Sequence, residues 1–254
     1  MSSIEERRKF ISETINKQGF VQVAILAKTF NVTQTTIRKD LNYLESKGLL
    51  RRAYGSALPV EEQVMDIALK KKVLLSYDKK QKIGRRAATL INENDSILIS
   101  SGSTLAIFAE HIEPKGHLNV VTSAVNISTK LGEIPNVTVM QIGGILYSNT
   151  LSATGNDAIQ ALRSVYCSKL FLGVDGIDID YGVSSGTVEE AELIVQMIKS
   201  SSRTIVLTDS SKFGRKGFGR VCGVEKIHTL ITDSGIPPKT KTELEKLGVE
   251  VIVV

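Results

Sequence analysis

The alternation of short apolar runs with amphipathic segments is the feature that most constrains the fold of this chain. Seven runs have the length and β-branched content of buried strands: Ile97–Ser100, Val120–Thr122, Val137–Ile142, Leu170–Val174, Thr204–Thr208, Leu230–Thr232 and Val249–Val253. Six segments have helical periodicity: Lys80–Asn92, Thr104–His111, Val125–Leu131, Asp157–Val165, Val188–Ser200 and Thr240–Leu247. Strands that alternate with helices favour a mostly parallel sheet covered on both faces. The sequence from about residue 77 onward therefore predicts an α/β domain.

Hydroxyl, glycine and charged residues follow several of the predicted strands. Ligands of open parallel sheets bind at the carboxyl ends of the strands, and the hydroxyls and backbone N–H groups of Ser100–Thr104 suit a phosphate. Each segment alone is ordinary turn chemistry, but several at one edge of a sheet predict a shared pocket. Lys212 is a phosphate or carboxylate partner in one interpretation and an exposed cation in the other. The candidate ligand residues are Ser101, Gly102, Ser103, Thr104, Thr122, Ser123, Gly143, Gly144, Asp175, Gly176 and Lys212.

The first 57 residues have the pattern of a DNA-binding module. Three helices are predicted, at Ile4–Lys17, Val23–Phe30 and Thr33–Lys47, with a short hairpin over residues 49–57. In the third helix Ile37, Leu41 and Leu44 share one face, and the opposite face is polar and cationic. A polar-cationic helix beside a basic hairpin is typical of a winged helix-turn-helix that binds double-stranded DNA. The candidate DNA-binding residues are Thr33, Gln34, Thr35, Thr36, Arg38, Lys39, Asn42, Arg51, Arg52 and Tyr54.

The charge distribution supports this interpretation. The chain has 32 basic and 27 acidic residues, a net charge of +5. Residues 1–57 contain ten of the basic and five of the acidic residues, so the whole excess lies in this segment and the remainder is balanced. A basic module attached to a neutral body favours a phosphate-bearing partner.

The remaining features bound the class of protein. No apolar stretch reaches the length of a membrane helix and the N-terminus lacks the apolar run of a signal peptide, so we expect a cytoplasmic protein. Cys167 and Cys222 and three scattered histidines show no metal-binding spacing, and we expect no metal and no cofactor. We expect a DNA-binding domain at 1–57, a linker at 58–76 and a sensing and oligomerisation domain at 77–254. The cationic run of the linker is expected to be a solvated face, with a supporting DNA or effector contact as the alternative. It comprises Lys70, Lys71 and Lys72, with Lys79, Lys80, Lys82, Arg85 and Arg86 soon after.

The sequence resembles the DeoR family of bacterial repressors over nearly its whole length. The N-terminal likeness is densest in TTIRKDLNYLESKGLLRRAYG, and SSGST, VVTSA, IGGILYSNTLSATG, GVDGID, TDSSKFGRKGF and LITD resemble landmarks of the sensor domain. The resemblance implies a Rossmann-like sensor domain similar in fold to ribose-5-phosphate isomerase. It also implies a repressor of a sugar or polyol operon, controlled by a phosphorylated sugar or polyol. We expect a homo-oligomer, because a single short helix reads too few bases for operator-level specificity.

This sequence departs from the family pattern at four places. Ser100 stands where the family commonly has Asp, Ser123 and Ala124 stand where it has Asn-Ser, and Ser56 replaces a wing glycine. The helix after GVDGID lacks the usual lysine between Glu189 and Gln196. Two alternatives remain open: a sugar-phosphate isomerase with Asp175 and Asp178 as acid and base, and a DNA-binding protein whose body only oligomerises.

Overall fold

The computed structural model describes residues 4–18, 21–47, 49–53, 56–58 and 69–254. The chain divides into two compact units, one within residues 1–67 and 74–76 and the other within residues 68–73 and 77–254. In these described ranges no helix combines the length and apolar character that crossing a bilayer requires.

The N-terminal unit is three helices with a small antiparallel sheet. Its elements are α1 (Ile4–Gln18), β1 (Val21–Gln22), α2 (Val23–Thr29), α3 (Gln34–Ser46), β2 (Arg51–Ala53) and β3 (Ser56–Leu58), with the sheet order β1-β3-β2. One buried face of each helix, together with Val21 and Leu50, forms its core. The three predicted helices and the hairpin are confirmed.

The body unit contains seven helices. They are α4 (Leu69–Leu74), α5 (Tyr77–Ala88), α6 (Ser103–Ala109), α7 (Val125–Gly132), α8 (Asn156–Leu162), α9 (Val188–Lys199) and α10 (Pro238–Lys246) among the described residues. All six helices predicted for the body are present, and α4 lies in the segment predicted as a linker. α5 begins at Tyr77, three residues before the predicted start, because its first turn contains no aliphatic residue that would mark the helical face.

A seven-stranded sheet, all of whose pairings are parallel, organises the body. Its strands are β4 (Ser96–Ile99), β5 (Leu118–Thr122), β6 (Val137–Gln141), β9 (Cys167–Leu172), β12 (Ser201–Leu207), β14 (Thr229–Thr232) and β15 (Glu250–Val253), in the order β15-β14-β12-β9-β4-β5-β6. These are the seven predicted strands, and the prediction of a mostly parallel sheet is confirmed.

Strand periodicity divides the core between the two faces of the sheet. In β9, Leu170 and Leu172 point to the side covered by α8, α9 and α10, whereas Phe171 points to the side covered by α5, α6 and α7. Successive side chains of a strand point to opposite faces, so a continuous apolar strand fills both layers. Phe171 packs on Phe108 of α6 with ring centroids 4.5 Å apart.

Two small antiparallel sheets were not predicted. The strands β7 (Ile145–Tyr147) and β8 (Ser152–Thr154) form a hairpin. The strands β10 (Gly176–Asp178), β11 (Gly182–Ser185) and β13 (Gly219–Cys222) form the other sheet, in the order β10-β11-β13. Their segments are only three or four residues long and begin or end beside glycine, so the sequence indicated turns rather than strands.

Candidate DNA interface and ligand site

The outer face of α3 carries the predicted DNA-contacting side chains. Thr33 caps the helix: its Oγ1 accepts the Thr36 N–H at 3.2 Å. Arg38 donates from Nη2 to Gln34 Oε1 at 3.2 Å. The side chains of this face are exposed except that of Thr36, which is half-buried; the face comprises Thr33, Gln34, Thr35, Thr36, Arg38, Lys39 and Asn42. The face is free of apolar side chains, as predicted.

The inner face of α3 is held by an ion-pair cluster that the sequence analysis missed. Asp40 is 2% exposed, and its Oδ2 and Oδ1 accept from Arg7 Nε at 2.6 Å and Arg8 Nε at 2.9 Å. The Arg8 guanidinium lies 3.8 Å from the centroid of the Tyr43 ring. Both carboxylate oxygens therefore tie α3 to α1. Asp40 falls within the stripe of Ile37, Leu41 and Leu44, and a charge on an apolar stripe is the signal that would have found it.

The predicted wing is an antiparallel pair of strands. Arg51 of β2 is opposite Leu58 of β3, and Arg52 is opposite Ala57. The pair adds two cationic positions beside α3 in the sequence. Tyr54, the remaining predicted wing residue, lies outside the described residues.

All the predicted ligand residues of the body lie at or after the carboxyl ends of neighbouring parallel strands. Residues 100–104 follow β4, Thr122 and Ser123 end β5, Gly143 and Gly144 follow β6, and Asp175 and Gly176 follow β9. Lys212 follows β12 in a short 3-10 turn over Ser210–Lys212. Because these five strands are adjacent in one parallel sheet, the segments share one edge.

Asp175 is the centre of a cluster of cations at this edge. Its Oδ1 lies 3.7 Å from Lys72 Nζ and 3.6 Å from Lys212 Nζ, and its Oδ2 accepts the Gly186 N–H at 3.0 Å. Burial opposes ionisation of Asp175, but Lys72 and Lys212 outweigh it and hold its pKa below the ordinary value. Lys212 thus pairs with a pocket carboxylate, one of its two predicted partners.

Lys80 is a third lysine in this region and is buried, whereas Lys72 and Lys212 are half-buried. The Lys80 side chain is 4% exposed and its Nζ donates to the Lys72 backbone carbonyl. Burial lowers its pKa from 10.5 to about 8, with Asp209 opposing the shift and Lys212 and Lys72 adding to it. The expectation that the lysines at 72, 79 and 80 are solvated is wrong. Lys72 and Lys80 face pocket groups, and Lys79 pairs with Asp233 at 2.7 Å.

The other predicted ligand residues divide into two groups. Thr122 and Ser123 are fully buried and bonded within the protein: Thr122 Oγ1 accepts the Ala124 N–H, and the Ser123 and Ser152 hydroxyls are 2.9 Å apart. Gly102 and Ser103 are half-exposed, and Gly102 has φ +124°, a conformation that favours glycine. Thr122 and Ser123 are therefore closed to solvent, as Ser101 and Thr104 largely are, whereas Gly102 and Ser103 are partly exposed.

Further contacts order the loops around Asp175. Ser101 Oγ donates to Glu190 Oε1 at 3.0 Å, and the Gly173 N–H donates to Ser100 Oγ at 3.0 Å. Gly176 permits the close approach of Arg215, whose carbonyl oxygen would lie 2.3 Å from a Cβ at this position. Gly144 is held against Thr154 in the same way, at 2.4 Å. Ser100, which stands where the family commonly has Asp, therefore accepts a hydrogen bond that joins the loop after β4 to the loop after β9.

Three other features of the described residues bear on possible sites. In the described part of the chain no three His, Cys, Asp or Glu side chains are grouped so as to hold a metal ion. Burial raises the pKa of Cys167 and of Cys222 to about 11, so both thiols stay protonated. A depression of about 350 Å³ lined by Arg163, Tyr166 and Lys199 contains none of the predicted residues.

Comparison with known proteins gives matches for both units. The DeoR-like helix-turn-helix domain matches residues 7–63, and the DeoR C terminal sensor domain matches residues 75–234. The "Putative aga operon transcriptional repressor" of Escherichia coli O157:H7 is 34% identical over 256 residues, covering 100% of this chain and 95% of that protein.

A second relative and a solved structure also match this chain. The uncharacterized HTH-type transcriptional regulator YulB of Bacillus subtilis (strain 168) is 32% identical over 251 residues, covering 99% of this chain and 97% of that protein. Ribose 5-phosphate isomerase from Plasmodium falciparum aligns with a TM-score of 0.39 and 17% identity, over 55% of this chain and 54% of that chain. On the matches of both units, this chain belongs to the DeoR family of DNA-binding transcription regulators.

Proposed function

We propose that this chain is a repressor of a sugar or polyol catabolic operon and that a phosphorylated sugar or polyol controls it. The observation that carries the proposal is the exposed polar-cationic face of α3, fixed from beneath by Asp40. The similarity to a relative named as an operon repressor supports the repressor role. We propose residues 1–57 as the DNA-binding domain, 58–76 as the connection and 77–254 as the sensing domain.

The division of labour on the DNA face follows from side-chain chemistry. Gln34, Thr35 and Asn42 carry uncharged hydrogen-bonding groups that read base edges in the major groove. Arg38 is suited to a guanine edge and Lys39 to a phosphate. Arg51 and Arg52 of the wing, together with Tyr54, are proposed to follow the phosphate backbone.

The ligand part of the proposal rests on the cations around Asp175. Lys72 and Lys212 flank Asp175, and Asp209 interacts with Lys212 and Lys80. Three lysines and two carboxylates leave one excess positive charge, which favours binding of a phosphate. The hydroxyls and N–H groups of Ser101, Ser103 and Thr104 are proposed to complete the phosphate contacts. Asp175 is proposed to accept from a sugar hydroxyl once the phosphate draws the lysines away.

Lys72 connects the proposed ligand site to the segment that follows the DNA-binding residues in the sequence. It belongs to α4, the first described helix after the DNA-binding segment, and it contacts Asp175. A phosphate that competes with Asp175 for Lys72 binds more tightly when this lysine faces the ligand than when it pairs with Asp175. Such a difference in affinity between two states is the condition for a ligand to shift a conformational equilibrium.

Nothing in the site favours an enzyme over a sensor. Asp175 is kept ionised by two lysines, and Asp178 Oδ1 accepts the N–H groups of Asp180 and Tyr181 within a turn. Asp178 thus has a structural role in its loop. The relatives matched are transcription regulators.

The test uses the full chain and the DNA upstream of its own gene. Arg38→Ala is expected to weaken binding and to reduce preference over scrambled DNA, because a base contact is lost. Arg51→Ala is expected to weaken both DNAs equally, because only a phosphate contact is lost. Lys28→Ala, at an exposed lysine of α2, is the matched control. Unchanged binding of Arg38→Ala and Arg51→Ala contradicts the assignment.

The ligand is tested by calorimetry with a panel of sugar and polyol phosphates and their unphosphorylated parents. At least one phosphate is expected to bind wild type and to change operator affinity, and Lys212→Met is expected to lose both effects. Lys199→Met, at a lysine of α9 outside the cluster, is the control. A panel that is silent in wild type contradicts the sensing role and favours a body that only oligomerises.

A further inference from the structure

The hairpin of β7 and β8 leaves one strand uncovered. Ile145, Leu146 and Tyr147 are consecutive in β7 and are 67%, 52% and 40% exposed. In a strand that covers a core, alternate side chains are buried, but here all three remain in solvent. The partner strand β8 is buried throughout, so only the β7 side of the hairpin lacks cover.

The free edge of β7 has no strand beside it in the described part of the chain. β7 pairs with β8 alone, and β6, which precedes it, is the last strand of the parallel sheet and pairs with β5 alone. Met140 of β6 and Val125, whose N–H donates to Leu151 O after β7, are 39% and 38% exposed. Two edge strands and a set of exposed apolar side chains therefore occur within one short segment.

The chemistry of the segment is unusual for an exposed edge. No residue between Glu133 and Asp157 is charged, although 23% of the chain is charged. Natural sheets protect free edges with lysine, proline or other charged residues, because an uncharged apolar edge pairs with another strand. β7 has none of these protections.

We propose that β7 is the two-fold contact through which two copies of this chain pair. A two-fold axis places a surface against itself, so any charge would face its like, and an uncharged patch is compatible with its own copy. The same axis makes β7 antiparallel to its counterpart, which satisfies the backbone groups of both free edges. Met140 and Val125 then extend the apolar contact beyond the two strands.

The pairing surface is joined to the ligand loop and to α4. Gly143 and Gly144, proposed to line the ligand site, lead directly into β7. The Leu69 N–H at the start of α4 donates to Asn149 O in the turn between β7 and β8 at 3.0 Å. The contact between copies is thus built on the hairpin that also holds the segment following the DNA-binding unit in the chain.

The need for a second copy rests on the proposed operator binding, but the surface is tested without DNA. Sedimentation velocity of the full chain is expected to give wild type a mass of at least two chains. Leu146→Lys is expected to halve that mass, because two like charges then meet across the axis. Ile145→Thr removes apolar area without adding charge. It is expected to raise the dissociation constant of the pair of chains, and so to weaken pairing as Leu146→Lys does.

Two variants of Leu146 with opposite charges test the contact between copies more directly. Leu146→Glu is also expected to halve the mass, and an equal mixture of the lysine and glutamate variants is expected to recover it. Phe218→Lys, at a side chain that is 77% exposed and lies between Lys216 and Arg220, is the control and is expected to keep the wild-type mass. A single-chain wild type, or Leu146 variants with unchanged mass, overturns the proposal. Operator binding that fails while the mass result holds would contradict the proposed function alone.

Discussion

At the scale of single residues, Asp40 is a buried charge on the helix that carries the proposed DNA-contacting face. Its carboxylate is buried beneath α3 and accepts from both Arg7 and Arg8. A buried pair is weak evidence for net stability, but removing one partner leaves an uncompensated buried charge. Asp40 is therefore a positioning residue for the exposed face of the same helix.

Replacement of Asp40 by Asn tests this role. We expect the free energy of unfolding to fall by about 3 kcal/mol, because Arg7 loses its buried counter-charge. Denaturant unfolding followed by circular dichroism measures the change. Glu13→Gln, at an exposed glutamate of α1, is the control and is expected to stay within about 0.5 kcal/mol of wild type. Equal free energies of unfolding for the two variants would show that the ion pairs of Asp40 with Arg7 and Arg8 do not stabilise the fold.

Lys80 gives the ligand site a dependence on pH. Its pKa is lowered to about 8 by burial, so it is charged at pH 7 and largely neutral at pH 9. The phosphate of a ligand is a dianion across this range. Affinity for the phosphate found by calorimetry is therefore expected to fall about tenfold from pH 7 to pH 9.

The same pKa makes an opposite prediction for stability. A lysine whose folded pKa is lowered binds fewer protons when folded, so stability rises with pH above about 8 until the unfolded pKa is reached. Lys80→Met is expected to flatten both profiles. Parallel changes of affinity and stability with pH in wild type would refute the assignment to Lys80.

At the scale of elements, the loop from β4 to α6 depends on one backbone conformation. Gly102 has φ +124°, and a Cβ there would meet no atom within 4 Å. Strain rather than collision therefore opposes other residues, at a cost of about 1–3 kcal/mol.

Substitution of Gly102 by Val is expected to weaken the phosphate ligand and to leave operator affinity unchanged. Calorimetry and DNA binding by anisotropy measure the two affinities. Gly132→Val is the matched control, because its Cβ also enters open space but its φ is not positive. A Gly102 variant with full ligand affinity would remove this loop from the site.

The elements differ in how far sequence can predict them. The seven parallel strands were predictable because each is a short run rich in aliphatic or aromatic residues, and the central strands are buried on both faces, as in Leu170–Leu172. The hairpin of β7 and β8 was not, because IGGILYSNT places glycines and polar turn residues around three apolar residues. Lys72 and Lys80 gave no signal either, since the burial of a lysine depends on a carboxylate supplied by a distant strand.

At the scale of the whole molecule, we propose that each unit recognises a different kind of partner. The first 57 residues contain the entire net positive charge of the sequence, and α3 within them presents cations together with short polar side chains. Residues 58–254 are balanced overall, but Lys72 and Lys212 flank Asp175, and the buried Lys80 donates to the Lys72 carbonyl. We therefore propose that DNA and a small phosphate bind separate cationic surfaces and that β7 supplies the contact between copies.

The salt dependence of operator binding tests the central claim most directly. A chain that neutralises several phosphates is expected to lose affinity linearly in log salt, with a slope of about −0.9 for each phosphate contacted. Wild type is expected to bind the DNA upstream of its gene with such a slope, and Lys39→Ala is expected to reduce the slope by about 1. Binding that is absent at low salt, or that is insensitive to salt, would contradict the account.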